Sequence, residues 1–204
     1  MEKMIYTGLP RHFKRKAENF AKRGFELISV PLIEILPISF DEPECEWVLL
    51  TSQSPLEFLS SFFLADKKIA VIGKETAAAV TEKLNRKVDF ISSVATKVDF
   101  VQSFSNAKPV GAIFYPKSNL ADNYIEKHLP NLISASVYEN HLPENARETL
   151  KIQLFDAQVK ALYFSSPSTF QRFIDMEIKA ENLKFYADGR TTREFVANYS
   201  SKNI

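Results

Sequence analysis

Cysteine, glycine, histidine and net charge are all scarce in this chain, and each shortage excludes something. Cys45 is the single cysteine in 204 residues, so there is no disulfide framework and no cysteine-built zinc site, and a reducing compartment fits. His12, His128 and His141 show no i, i+4 pairing, the spacing a helical metal motif needs. Only five glycines are present, and no G-x-G-x-x-G occurs among them. Gly73-Lys74-Glu75-Thr76 has the tail of a phosphate-binding P-loop, but Lys68 stands where its first glycine is required. The balance of 26 Lys+Arg against 25 Asp+Glu, a net +1, argues against binding nucleic acid or a membrane surface through bulk electrostatics. No apolar run approaches the ~20 residues of a membrane span. The opening Met1-Glu2-Lys3-Met4-Ile5-Tyr6 carries no signal-peptide core, so a cytoplasmic location is expected.

Apolar material is plentiful: 45% of the chain is hydrophobic and 17 residues are Phe, enough for one large packed domain or two small ones. Short apolar runs read as strands: Met4–Tyr6, Glu26–Val30, Trp47–Leu50, Lys68–Ile72, Ala112–Tyr115, Ala135–Tyr138, Ala161–Phe164 and Lys184–Ala187. Helix-spaced stripes lie between them, among them Phe13, Ala17, Phe20, Ala21; Leu56, Leu59, Phe63; and Ala77, Val80, Leu84. This alternation predicts an α/β protein with parallel sheets covered on both faces.

The rhythm repeats. Leu50-Thr51-Ser52-Gln53-Ser54 aligns with Phe164-Ser165-Ser166-Pro167-Ser168 at an offset of 114, and Ile72-Gly73-Lys74-Glu75-Thr76 with Asp188-Gly189-Arg190-Thr191-Thr192 at 116. Met4-Ile5-Tyr6-Thr7 aligns with Ala112-Ile113-Phe114-Tyr115 at 108, and Val30-Pro31-Leu32 with Ser136-Val137-Tyr138 at 106. The order and the similar offsets predict two copies of one α/β unit. Two extended, Pro-flanked stretches at equivalent points, about 31–37 and 137–143, suit linkers better than sheet interiors. The expected organisation is a discontinuous terminal domain, 1–34 plus 140–204, with a second domain, 38–136, inserted between the linkers. After Gly73 another 39 residues reach Ala112, whereas 15 follow Gly189, so the terminal domain is expected to lack about one strand and one helix.

The residues with chemical potential sit in turns that follow strands. Thr51, Ser52 and Ser54 follow one strand, and Ser165, Ser166 and Ser168 follow its counterpart. Thr76 and the pair Thr191-Thr192 open helices after Gly73 and Gly189. A glycine there allows a tight turn and leaves amide N–H groups uncovered, and with the helix dipole these make an anion site at the carboxyl edge of a parallel sheet. Plain helix capping by Ser and Thr is the competing explanation. Lys74, Lys117, Arg190 and Arg193 are cations in or beside these turns, whereas the run Arg11–Lys16 reads as a solvated helix face. Asp188 occupies the place that Ile72 holds in the other copy. Tyr138 ends a strand at the second linker, where it either enters a cleft or fills a core.

Taken together, these features resemble the uroporphyrinogen-III synthase family. The matching stretches are Pro31-Leu32-Ile33, Leu50-Thr51-Ser52, Val71-Ile72-Gly73 with Thr76, Val137-Tyr138, Phe164-Ser165-Ser166-Pro167-Ser168 and Gly189-Arg190-Thr191-Thr192. The resemblance implies two flavodoxin-like domains joined by a two-stranded linker, with the active site in the cleft between them. It implies cofactor-free, metal-free conversion of hydroxymethylbilane to uroporphyrinogen III by a monomer, with substrate passed on transiently by hydroxymethylbilane synthase. By position Tyr138 becomes the catalytic proton donor, and Thr51, Ser52, Gly73, Thr76, Lys117, Ser166, Ser168, Gly189, Thr191 and Thr192 become the carboxylate-binding set. A non-catalytic two-domain module clasping a small polycarboxylate would use the same surface, because fold does not settle function.

Overall fold

A computed structural model describes residues 1–180 and 182–200. The chain divides into two compact units, Met1–Glu34 with His141–Ile204, and Ile35–Asn140. The first unit opens with β1 (Glu2–Tyr6), α1 (Phe13–Ala21) and β2 (Phe25–Ser29). The second holds β3 (Glu34–Pro37), β4 (Trp47–Leu50), α2 (Ser61–Ala65), β5 (Lys68–Val71), α3 (Lys74–Leu84), β6 (Phe90–Ile91), α4 (Lys97–Asn106), β7 (Ile113–Ser118), α5 (Tyr124–His128) and β8 (Leu132–His141). The chain then completes the first unit with α6 (Ala146–Leu154), β9 (Val159–Phe164), α7 (Pro167–Asp175), β10 (Lys184–Ala187) and α8 (Arg190–Ser200).

Each unit is built on one sheet, ordered β10-β9-β1-β2 in the first and β3-β8-β7-β4-β5-β6 in the second. The pairings from β10 to β2 and from β8 to β6 are parallel. Successive residues face opposite sides of a strand, and both sides are apolar here. In the first sheet Ile5, Leu162 and Phe164 face one core while Met4, Tyr6, Ala161 and Tyr163 face the other. In the second, Val48, Leu50, Val71 and Phe114 face one core and Leu49, Ala70, Ile113 and Tyr115 the other.

The duplication is a topological fact. The order β10-β9-β1-β2 is repeated as β5-β4-β7-β8, and the second unit adds β6 and α4 beyond β5. The described residues of the first unit hold no counterpart of β6 or α4, and β10 forms the sheet edge.

Three expectations need correction. The stripe Leu56, Leu59, Phe63 is not one helix. It splits into a 3₁₀ turn, Ser54–Glu57, and α2, because Ser60 is extended (φ −69°, ψ 145°) and its hydroxyl accepts from Phe63 N at 3.0 Å, restarting the helix. The Pro-bracketed stretch is not wholly linker either: Glu34–Pro37 is β3, an edge strand beside β8, where proline's missing donor does least harm. Finally, Met4 pairs with Ala161 while Ile113 pairs with Trp47, which stands 114 residues before Ala161. The structural counterpart of Tyr6 is therefore Tyr115, one residue beyond the sequence alignment.

Candidate active site

In an open parallel sheet, loops diverge where the strand order reverses, and the space outside the strand ends there is the natural binding crevice. In the first sheet that point lies between β1 and β9, followed by Thr7-Gly8 and Ser165-Ser166. In the second it lies between β4 and β7, the latter ending at Lys117-Ser118 and the former followed by Thr51-Ser52. The turns at Thr51-Ser52 and Ser165-Ser166 therefore flank the two switch points, whereas those at Gly73 and Gly189 follow β5 and β10, one strand further out.

At the first switch point the backbone passes very close. Thr7 is fully buried, and its hydroxyl donates to Tyr163 O at 2.9 Å. A Cβ added at Gly8 would come within 2.8 Å of Ser165 Cβ and closer still to the Tyr6 phenol, so only glycine fits. Beside it Tyr6 and Tyr163 stack at 5.5 Å, and Lys16 lies over the Tyr163 ring at 5.4 Å while pairing with Asp188. Lys16 is thus not part of a solvated face. Asp188 turns out to be its counter-ion.

Ser166 carries a capping box at the start of α7, its hydroxyl accepting from Thr169 N at 3.4 Å and lying 3.0 Å from the Ser168 hydroxyl. Gly189 adopts φ +67°, a left-handed conformation that favours glycine, whereas Gly73, at φ −135° and ψ 158°, is extended. The tight-turn argument therefore holds for Gly189 and fails for Gly73. A Cβ at Gly73 would meet nothing nearer than Ala95 Cβ at 3.9 Å, an ordinary contact. Thr76 and Thr192, the third residues of α3 and α8, are both buried, at 6% and 4% exposure. Thr191 is exposed. Arg190 spends its charge on Glu194, 2.6 Å away on the same helix.

At the second switch point Lys117 pairs with Glu126 of α5 and lies 5.9 Å from the Tyr115 ring centre. Tyr115 is fully buried. Burial pushes its pKa up to about 12, while a side-chain hydrogen bond with Thr51 pulls the other way. Thr51, Tyr115, Lys117 and Glu126 thus form one polar group at the carboxyl edge, of which Tyr115 and Glu126 escaped the sequence reading. A tyrosine in an apolar run and a glutamate in a charged helix carry no distinguishing local pattern. Tyr138 lies in the core of the second unit, 7% exposed, its ring stacked on Phe58 at 5.4 Å.

The model of the family "Uroporphyrinogen-III synthase HemD" matches residues 14–204. The chain belongs to the uroporphyrinogen-III synthase family. A protein of Methanocaldococcus jannaschii that is provisionally named a uroporphyrinogen-III synthase is 26% identical over 94% of this chain and 88% of its own. Two solved structures share the fold across 98% of this chain and 90% of theirs, each at 16% identity: uroporphyrinogen III synthase of Thermus thermophilus, as a triple mutant, with a TM-score of 0.63, and uroporphyrinogen-III synthetase of Helicobacter pylori, at 0.62. Among the described residues no helix is long and apolar enough to cross a membrane, and no cluster of three or more His, Cys, Asp or Glu could hold a metal ion.

Proposed function

We propose that the protein cyclises hydroxymethylbilane to uroporphyrinogen III, inverting ring D with loss of water, in the cytoplasm and as a monomer. Membership of the family across residues 14–204 carries this reading, and the two matched sets of carboxyl-edge turns support it chemically. The substrate is a flexible polycarboxylate. Backbone amides at the starts of α3 and α8, hydroxyls of Thr51, Ser52, Ser166, Ser168, Thr76, Thr191 and Thr192, and the Lys117 ammonium suit such a ligand without global positive charge. The central task is conformational: the chain has to be folded so that ring D meets the correct carbon, which is catalysis by orientation.

In this reading the Tyr138 phenol gives its proton to the departing hydroxyl of hydroxymethylbilane. The C–O bond breaks, water leaves and an azafulvene cation remains. The cation is attacked by the substituted carbon of ring D to give a spiro intermediate, which reopens and recloses with the ring inverted; the closing carbon then loses its proton, which balances the one Tyr138 gave up and leaves product and phenol neutral.

The test is a coupled assay in which hydroxymethylbilane synthase generates the substrate, this protein is added, and the oxidised porphyrins are separated by isomer. Uroporphyrin III is the expected product. Only the spontaneous type I isomer, from folded protein, would overturn the reading in favour of a non-catalytic module that binds polycarboxylates.

A further inference from the structure

β10 has an open edge, and the duplicated sheet shows what such an edge takes. The inner sides of the two strands are fixed alike: Asp188 N donates to Phe164 O at 3.2 Å, as Ile72 N does to Leu50 O at 3.3 Å. Backbone groups alternate sides along a strand, so Phe185 and Ala187 turn their N–H and C=O groups outward, like Ile69 and Val71, which stand 116 residues earlier. On β5 those outward groups are in use. Asp89 N donates to Ile69 O at 2.9 Å, Ser92 N to Val71 O at 3.2 Å, and Ile69 N to Asp89 Oδ2 at 2.8 Å. On β10 no strand of the described residues takes them up.

A cavity of about 890 Å³ lies against the same strand, bounded by α7 and α8. Phe173, Ile174, Ile178, Leu183, Phe185 and Val196 give it an apolar wall, and its size suits several side chains at once. The charged residues that line it are Glu177, just after α7 and so at the amino edge of the sheet, and Arg193, in the first turn of α8 at the carboxyl edge. Neither has an ion-pair partner among the described residues. A segment that satisfies the cavity and the edge together runs parallel to β10, as β6 does to β5, with apolar side chains at alternate positions. It brings a cation at its amino end to Glu177 and an anion at its carboxyl end to Arg193. We propose that β10 and this cavity dock such an extended segment of a partner protein, which joins the sheet where β6 lies in the other unit. β10 is short and starts with the exposed Lys184, a charge that guards an open edge against indiscriminate pairing, so the cavity and its two charges supply the selectivity.

The probe is a synthetic peptide of Lys87–Ser93 with free termini, the chain's own edge-strand sequence, titrated into the full chain and followed by backbone amide shifts. Saturable binding is expected, with shifts centred on residues 183–189 and 193–197. N-methylation of the peptide at Asp89 and Ser92 removes the two backbone donors and should weaken binding about tenfold or more, the worth of two hydrogen bonds. Glu177→Lys combined with Arg193→Glu, both at exposed positions, should weaken the peptide about fivefold and favour a capped peptide with Glu at its amino end and Lys at its carboxyl end. Shifts centred on β5, where the peptide would be displacing β6, would overturn the proposal. So would equal binding of the N-methylated peptide, which would make the cavity a site for a small apolar ligand. Unchanged affinity after the charge exchange, self-association of the chain through the same residues without peptide, or no binding up to the solubility limit would each overturn it too.

Discussion

Tyr6 and Tyr115 stand at the same position in two copies of one sheet, each on the strand beside a switch point and each fully or almost fully buried. Their phenols differ in one respect. Tyr6 donates to the backbone, to Leu9 O at 3.2 Å, whereas the polar neighbour of the Tyr115 phenol is a side chain, Thr51. Burial is the leading cause that pushes both pKa values up to about 12, with Asp188 adding to the effect at Tyr6 and Glu126 at Tyr115.

A pH dependence follows from that burial. An acid whose pKa is higher in the folded state keeps its proton where the unfolded chain has lost it. The stabilisation is complete below the ordinary tyrosine value of 10.0 and is lost as pH rises toward about 12. The denaturation midpoint should therefore fall across that window. Tyrosinate absorbance should show at least two of the seven tyrosines titrating late in folded protein and none late in denaturant.

The two helix-opening glycines should separate under substitution. Gly189→Ala forces a side chain into a left-handed turn (φ +67°) and should lower unfolding stability by ~1–2 kcal/mol. Gly73→Ala meets ordinary space in an extended backbone, so its stability cost should stay below about 1 kcal/mol, the scale of a changed N-cap. If the amides at the start of α3 bind substrate, the same methyl group should raise KM. Chemical denaturation beside steady-state kinetics checks both.

Gly8 is a different case. Its obstacle is steric, since Tyr6 and Ser165 occupy the space a Cβ would need. Gly8→Ala should destabilise by ~1–3 kcal/mol through overpacking at the end of β1. The double change of Gly8→Ala with Tyr6→Phe should recover part of the loss, because it removes the phenol oxygen that lies nearest. A thermal or denaturant midpoint for each variant decides this.

Tyr138→Phe leaves the ring on Phe58 and removes only the hydroxyl. As a proton donor Tyr138 should contribute a factor of about 10² or more to turnover, so the variant should lose kcat while keeping its fold. Undiminished kcat would reassign Tyr138 to the core. Thr76→Val and Thr192→Val, by contrast, should act on KM, each by about 1 kcal/mol or roughly fivefold, since neighbouring amides share the carboxylates.

Sequence by itself determined the class and the rhythm of this protein. Apolar strand runs and helix stripes required parallel α/β sheets, because alternate residues of Met4–Tyr6 and Trp47–Leu50 are apolar on both faces. The offsets of 114 and 116 agree with the observed strand register, so Ser52 and Ser166 match across the two units, as do Gly73 and Gly189. Local patterns such as these survive in sequence because backbone geometry demands them at each site. The tertiary structure alone decided the rest. It shifted the Tyr6 match from Phe114 to Tyr115, since register is set by inter-strand hydrogen bonds that leave little trace in composition. It also brought Lys16 to Asp188 and Lys117 to Glu126. Those partners lie 172 and nine residues apart, and a charge becomes chemically distinctive only when folding removes it from water beside a particular neighbour.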